Sequence, residues 1–261
     1  MPAVFFGHGT PMNAIQNNRY TEAWRRLGLT LPRPRAILAV SAHWYTNGTG
    51  VTAMERPPTI HDFGGFPREL FAMEYPAPGD PALARQVRDL LEPVKVVLDD
   101  KGWGLDHGTW SVLVHAYPKA DIPVVQLSID GTQEPKVHYD IGRRLAALRE
   151  DGVLVAGFGN VVHNLAAMQR RPDAPPPDWS VRFNDWVRDH LTKGEHWPLI
   201  HYETMGRDAQ MAVPTPEHYL PLLYVIGAQT EGDAVDVVTD GIDMGSVSML
   251  SAILSSDEAN K

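Results

Sequence analysis

Three histidines in this chain sit just beyond short apolar runs. His8 follows Ala3–Phe6 and stands between Gly7 and Gly9, His43 ends the run Ile37-Leu38-Ala39-Val40-Ser41-Ala42, and His163 follows Val153–Phe158 through a short loop. His107 comes a short loop after Val94–Leu98, and His218 lies in Thr215-Pro216-Glu217-His218, which reads as the first turn of a helix. A ring carried at the carboxyl end of a strand and flanked by glycine can project into a crevice with little steric cover. The chain has eleven histidines and no cysteine, so disulfides, thiolate catalysis and cysteine-type zinc sites are excluded. Neutral imidazoles in a group suit Zn, Fe, Cu or Ni, whereas magnesium and calcium prefer oxygen.

Other groups read differently. His61 lies in a loop rich in glycine and aromatic residues, where it could support the site, face a substrate or equally be a solvated loop residue. His115, His138, His190, His196 and His201 read as ordinary surface residues. Glu217 could complete a two-histidine, one-carboxylate iron site or interact with a helix N-terminus. Neighbours on a helix point about 100° apart, so Glu217 and His218 would not easily reach one ion together. Ser41 and Ser111 lack a Gly-x-Ser-x-Gly elbow, and Gly157-Phe158-Gly159 lacks the third glycine of a dinucleotide loop.

The elements that must hold these residues alternate. Strands are expected at Ala3–Phe6, Arg35–Ser41, Val51–Met54, Val94–Leu98, Pro123–Ile129 and Val153–Phe158, most of them apolar at nearly every position, as suits burial on both faces. Helices are expected at Arg19–Leu27 (ended by Gly28), from Asp80-Pro81 to about Leu91, from Thr109, over Glu134–Leu148 and over Trp179–Leu191, with another from Thr215 to about Ile226. Pro57–Pro78 is a long irregular stretch, of a length that is more often functional than idle. Arg171–Pro177 reads as a surface loop, Val235–Val238 and Ser246–Leu254 as strands, and the polar end beyond as frayed. This alternation predicts an α/β fold with a largely parallel central sheet flanked by helices, and a metal site at the carboxyl ends of the strands. Residues 1–261 show no repeat or linker and read as a single domain.

Hydrophobic residues make up 43% of the chain and charged residues 21%, and the net charge is −9. That balance gives no support to nucleic-acid or anionic-membrane binding. No apolar run is long enough to span a bilayer and no leader pattern precedes Ala3, so the cytoplasm is the expected compartment.

Taken together, the motifs resemble a known family. Gly7-His8-Gly9-Thr10-Pro11-Met12-Asn13, Ser41-Ala42-His43-Trp44, His61-Asp62-Phe63-Gly64-Gly65-Phe66-Pro67, Asp106-His107-Gly108-Thr109-Trp110, Gly159-Asn160-Val161-Val162-His163-Asn164-Leu165 and Pro216-Glu217-His218-Tyr219-Leu220-Pro221-Leu222 are similar to those of the DOPA-type extradiol ring-cleavage dioxygenases. These are LigB-like class III enzymes. The likeness runs in order over nearly the whole chain, to Met244-Gly245-Ser246 and beyond.

The resemblance implies a catechol substrate and O₂, with one divalent metal held by His8, His43, His163 and His218, and His107 in the pocket. His107 and His163 are the implied acid and base, taking a catechol proton and later returning one. Fe(II) is expected for dioxygenase activity. Class III enzymes usually bind iron through two histidines and a carboxylate; this chain has His218 beside Glu217, and four histidines on one ion make a closed tetrahedral set that suits Zn(II). Phe158 stands where relatives carry a small residue, and Ala166 where arginine is common, so both are expected to reshape the substrate pocket. The rival readings are a zinc-dependent hydrolase and a non-catalytic metal-binding protein on the same fold.

Overall fold

The computed structural model describes residues 1–169 and 175–256. Part of the expected loop Arg171–Pro177, and most of the polar end, lie outside the described residues. The strands are β1 (Ala3–Gly7), β2 (Ala36–Thr46), β3 (Thr49–Thr52), β4 (Val96–Asp99), β5 (Val124–Asp130), β6 (Val153–Gly159), β7 (Asp233–Thr239), β8 (Ile242–Asp243), β9 (Val247–Ser248) and β10 (Ser251–Ser256). Eight of them form one sheet in the order β4-β3-β5-β2-β6-β1-β10-β7, while β8 and β9 pair separately. The β4–β3, β5–β2, β2–β6 and β6–β1 pairs are parallel; β3–β5, β1–β10 and β10–β7 are antiparallel. The centre of the sheet is thus the parallel α/β core that the alternation predicts.

Both faces of that centre are buried. Side chains alternate across a strand, and β1 divides accordingly: Val4 and Phe6 join one core with Trp24, Trp110 and Phe158, while Ala3 and Phe5 join the other with Phe183, Tyr219 and Tyr224. Helices Arg19–Thr30 and His107–Ala116 cover the first face. Helices Pro135–Leu145 and Leu220–Gly227 cover the second. No described helix is long and apolar enough to cross a membrane.

Several expected boundaries move, each for a physical reason. The first helix continues through Gly28 to Thr30, because Gly28 is a contact rather than a stop: a Cβ there would lie 1.8 Å from the Ala116 carbonyl oxygen. The helix expected from Thr109 starts at His107, since the Asp106 side chain caps it by accepting from the Thr109 amide at 3.2 Å. His218 precedes its helix, which begins at Leu220. Glu134–Leu148 divides into Pro135–Leu145 and Ala147–Glu150, and the last expected strand divides into β9 and β10. Strand β2 runs on past Ser41, so His43 lies within it. Its register against β5 slips between Val40↔Leu127 and Tyr45↔Ile129, a bulge of the kind that re-aims side chains near active sites.

Candidate metal centre

Adjacent strands β2, β6 and β1 deliver the site. His8 is the first residue beyond β1; its amide donates to the Gly159 carbonyl (3.1 Å) and its carbonyl accepts from Asn13 Nδ2 (3.0 Å). Gly9 then turns the chain at φ +65°, in the left-handed region where glycine costs least. His218 is brought in by a backbone contact, its carbonyl accepting the Asn160 amide at 2.8 Å. This close approach requires Gly159, where a Cβ would stand 2.2 Å from that oxygen. His107 enters at the helix start, and His163 from a bridge to Val247, with its amide donating to the Ala212 carbonyl at 2.8 Å.

The rings of His8, His43 and His218 stand at the corners of a near-equilateral triangle, with centroids 5.2, 5.4 and 5.2 Å apart. On each ring Nδ1 is occupied: by the Gly9 carbonyl for His8 (3.0 Å), by Asp62 Oδ2 for His43 (3.1 Å) and by Glu217 Oε1 for His218 (3.2 Å). On each, Nε2 is buried with no hydrogen-bond partner. Buried polar atoms are rarely left unpaired, and an oxygen acceptor on one imidazole nitrogen fixes the tautomer that offers the other nitrogen to a metal. The donor set therefore fits a divalent transition metal.

His107 and His163 complete the group. His107 lies 3.9 Å, centroid to centroid, from His43, and His163 stacks on His218. Donor atoms of His8, His43 and His107 lie within 4.8 Å of one another, as do those of His163, Glu217 and His218. Burial, reinforced by the neighbouring imidazoles, holds His8 and His218 well below the usual histidine range and His163 down to about 4. Burial also lowers His107, against the pull of Asp62. His43 is raised: burial opposes this, but the hydrogen bond to Asp62 and the charges of Asp106, Asp62 and Glu217 outweigh it.

These five histidines line one cavity of about 410 Å³, together with Asp62 and the apolar side chains Phe63, Phe66, Leu165, Met168 and Val247. That volume suits a small aromatic ligand. A larger groove of about 830 Å³ runs along the β3–β4 edge, with no histidine in its lining.

Other expectations need correction. The His61 ring lies outside the cavity lining; its Nε2 meets the Met73 carbonyl at 2.9 Å, and it packs among Phe63, Phe71 and Trp110. It pins the loop, and its neighbour Asp62 faces the site. Phe158 is fully buried and stacked on Phe6, 5.3 Å away, so its bulk fills the core and not the pocket. Ala166 is exposed and absent from the lining, whereas Leu165 and Met168 take part in it. His115 and His138 are buried, not surface residues: His115 Nε2 meets the Asn13 carbonyl at 2.7 Å, and His138 Nδ1 the Tyr224 hydroxyl at 2.9 Å. Asp62 was missed as a site residue. The sequence signal for it was its place in the long Pro57–Pro78 stretch.

The chain is similar to known proteins along nearly its whole length. Residues 3–254 match the LigB family, described as the catalytic LigB subunit of aromatic ring-opening dioxygenase. The chain is 54% identical over 254 residues to the 4,5-DOPA dioxygenase extradiol of Escherichia coli (strain K12), covering 96% of this chain and 93% of the relative. It is 38% identical to the Beta vulgaris protein of the same name, covering 94% and 92%. The crystal structure of an uncharacterized Escherichia coli K12 protein superposes with a TM-score of 0.86 at 48% identity, covering 98% of this chain and all of the other. A metal-dependent ring-opening chemistry is what the imidazole triangle and its aromatic-sized cavity can serve, and the chain belongs to the LigB family of aromatic ring-opening dioxygenases.

Proposed function

We propose that this enzyme opens catechols such as 3,4-dihydroxyphenylalanine by extradiol cleavage with O₂, at an Fe(II) ion held by His8, His43 and His218. The observation that carries the reading is the triangle of buried, partnerless Nε2 atoms, each on a ring anchored through Nδ1. The names of the Escherichia coli and Beta vulgaris relatives support the choice of substrate. Bound iron would supply the electron exchange with O₂ that zinc in the same place could not.

The fourth histidine of the implied ligand set receives a different role. His163 and His218 are stacked with planes only 10° apart. Their nitrogens therefore point side by side rather than toward one point, and the residues that would hold the metal are His8, His43 and His218. We assign His163, with His107, to proton transfer. Both rings line the cavity and are held neutral by burial, so each can take a catechol proton and return one to the opening ring. Glu217 serves His218 as an acceptor for Nδ1. Phe63, Phe66 and Val247 wall the ring and exclude water.

The test begins with metal-free protein reloaded anaerobically with Fe(II) or Zn(II), then given DOPA and air. Oxygen uptake with a yellow ring-opened product in the iron sample alone is the expected result. No uptake in either sample across several simple catechols overturns the reading in favour of a hydrolase or a binding protein.

A further inference from the structure

Asp62 places one carboxylate between two histidines with different duties. Its Oδ2 lies 3.1 Å from His43 Nδ1, and its Oδ1 lies 3.0 Å from His107 Nδ1 while also accepting the His107 backbone amide at 2.9 Å. The loop that carries it is fastened at several points. The Ile60 amide donates to the Leu105 carbonyl (2.7 Å), Trp110 Nε1 to the Ile60 carbonyl (2.8 Å), and His61 Nε2 is bound at Met73. The other carboxylate nearby, Asp106, is already committed to Ser41, Gln126 and the Thr109 amide. Asp62 is therefore the acceptor within reach of both rings; His107 Nδ1 is buried and without a hydrogen-bond partner as the ring is oriented, with Asp62 Oδ1 3.0 Å away.

We infer that Asp62 is a positioning residue that sets the tautomer and angle of His43 and His107 together, so that the metal ligand and the proton carrier are aligned by one group. Two imidazole Nδ1–H groups on opposite carboxylate oxygens need two acceptors on one short side chain. Only a carboxylate of this length offers them; an amide offers one acceptor and one donor. With both protons on Nδ1, Nε2 of His43 is left for the metal and Nε2 of His107 for a substrate proton. The two rings sit 3.9 Å apart, close enough that a tilt of one displaces the other.

This inference rests on the metal-site reading above, and its decisive readouts do not require turnover. Asp62→Asn keeps the size of the side chain and removes one acceptor. In ¹⁵N-histidine NMR of the metal-free wild type, His43 and His107 should both carry the proton on Nδ1; in the variant at least one should switch. Zn²⁺ affinity, measured by chelator competition, should fall about 10- to 100-fold, with the unfolding temperature of the metal-free protein almost unchanged. With iron restored to saturation, kcat should fall more than KM rises. Unchanged tautomers together with Zn²⁺ affinity within twofold of wild type overturn the inference. If the iron-loaded wild type turns over no catechol while the NMR and affinity changes are seen, the catechol reading fails and the role of Asp62 stands.

Discussion

The imidazoles of His163 and His218 lie face to face, their centroids 3.5 Å apart and their planes within 10° of parallel. In-plane lone pairs on two such rings run side by side rather than converge. On the proposed roles the pair divides the labour of the site, and single substitutions test that division. His218→Ala should lower metal affinity by more than about 100-fold, beyond the loss expected for a supporting group. His163→Ala should keep the metal and lower kcat by roughly 10²- to 10⁴-fold, the usual size of a lost acid–base contribution. Metal content after dialysis, set beside oxygen uptake, decides it; metal lost equally from both variants makes His163 a ligand.

Gly108 gives His43 its room. A Cβ at this position would lie 2.7 Å from His43 Cδ2 and 2.8 Å from Ser41 Oγ. Gly108→Ala should push the ring off its line and reduce metal affinity about 10- to 100-fold, as loss of ligand alignment does. Overpacking should also cost about 1–3 kcal/mol of stability. Isothermal titration with Zn²⁺ and a urea melt check the two parts, and wild-type affinity would show that the ring has space to spare.

Arg149 ties four parts of the chain together from a nearly closed position. It pairs with Asp233 at 2.5 and 3.0 Å and donates to the carbonyls of Met1, Ala228 and Leu254. Removing one member of a buried pair leaves the other charged with only the Thr230 amide and hydroxyl as partners, so Arg149→Met should cost about 3 kcal/mol. The site lies elsewhere, so metal affinity of the remaining folded protein should be unchanged. Urea unfolding at pH 7 measures the first effect, and a loss under 1 kcal/mol would mean that water takes over the contacts of Asp233.

Acid should weaken the fold partly through His138. Burial holds this ring down to about 4, against an ordinary value of 6.5. Between those two values the unfolded chain takes up a proton that the folded chain refuses, so stability falls as pH drops from 6.5 towards 4. The loss totals roughly 3 kcal/mol and is complete below the lower value. In metal-free His138→Gln this component disappears, and the drop in stability from pH 7 to pH 4.5 should be roughly 2–3 kcal/mol smaller than in wild type. Equal drops in the two proteins would show that His138 does not titrate in this range.

Local chemistry settled much of this protein in the sequence itself. Apolar runs such as Val153–Phe158 suit strands buried on both faces, and Asp80-Pro81 suits a helix start, its carboxylate accepting the amides of Ala82 and Leu83. With no cysteine in the chain, any transition metal had to be held by nitrogen and oxygen, and the histidines beyond the strands were the candidates for it. Tertiary structure decided what the residues do to one another. Residues 8, 43 and 163 meet because β1, β6 and β2 are neighbours in the sheet, an order that depends on packing between distant segments and leaves no periodicity in the chain. His43 turns inward through a bulge that only its pairing partner reveals. Asp62 reaches His107 across 45 positions of sequence, and His138 is buried because helix Pro135–Leu145 packs on Leu220–Gly227, not because its own surroundings in the chain are apolar. Strand and helix preferences act over a few residues; the angle of a ring and the partner of its nitrogen are set by atoms that only the folded chain brings within reach.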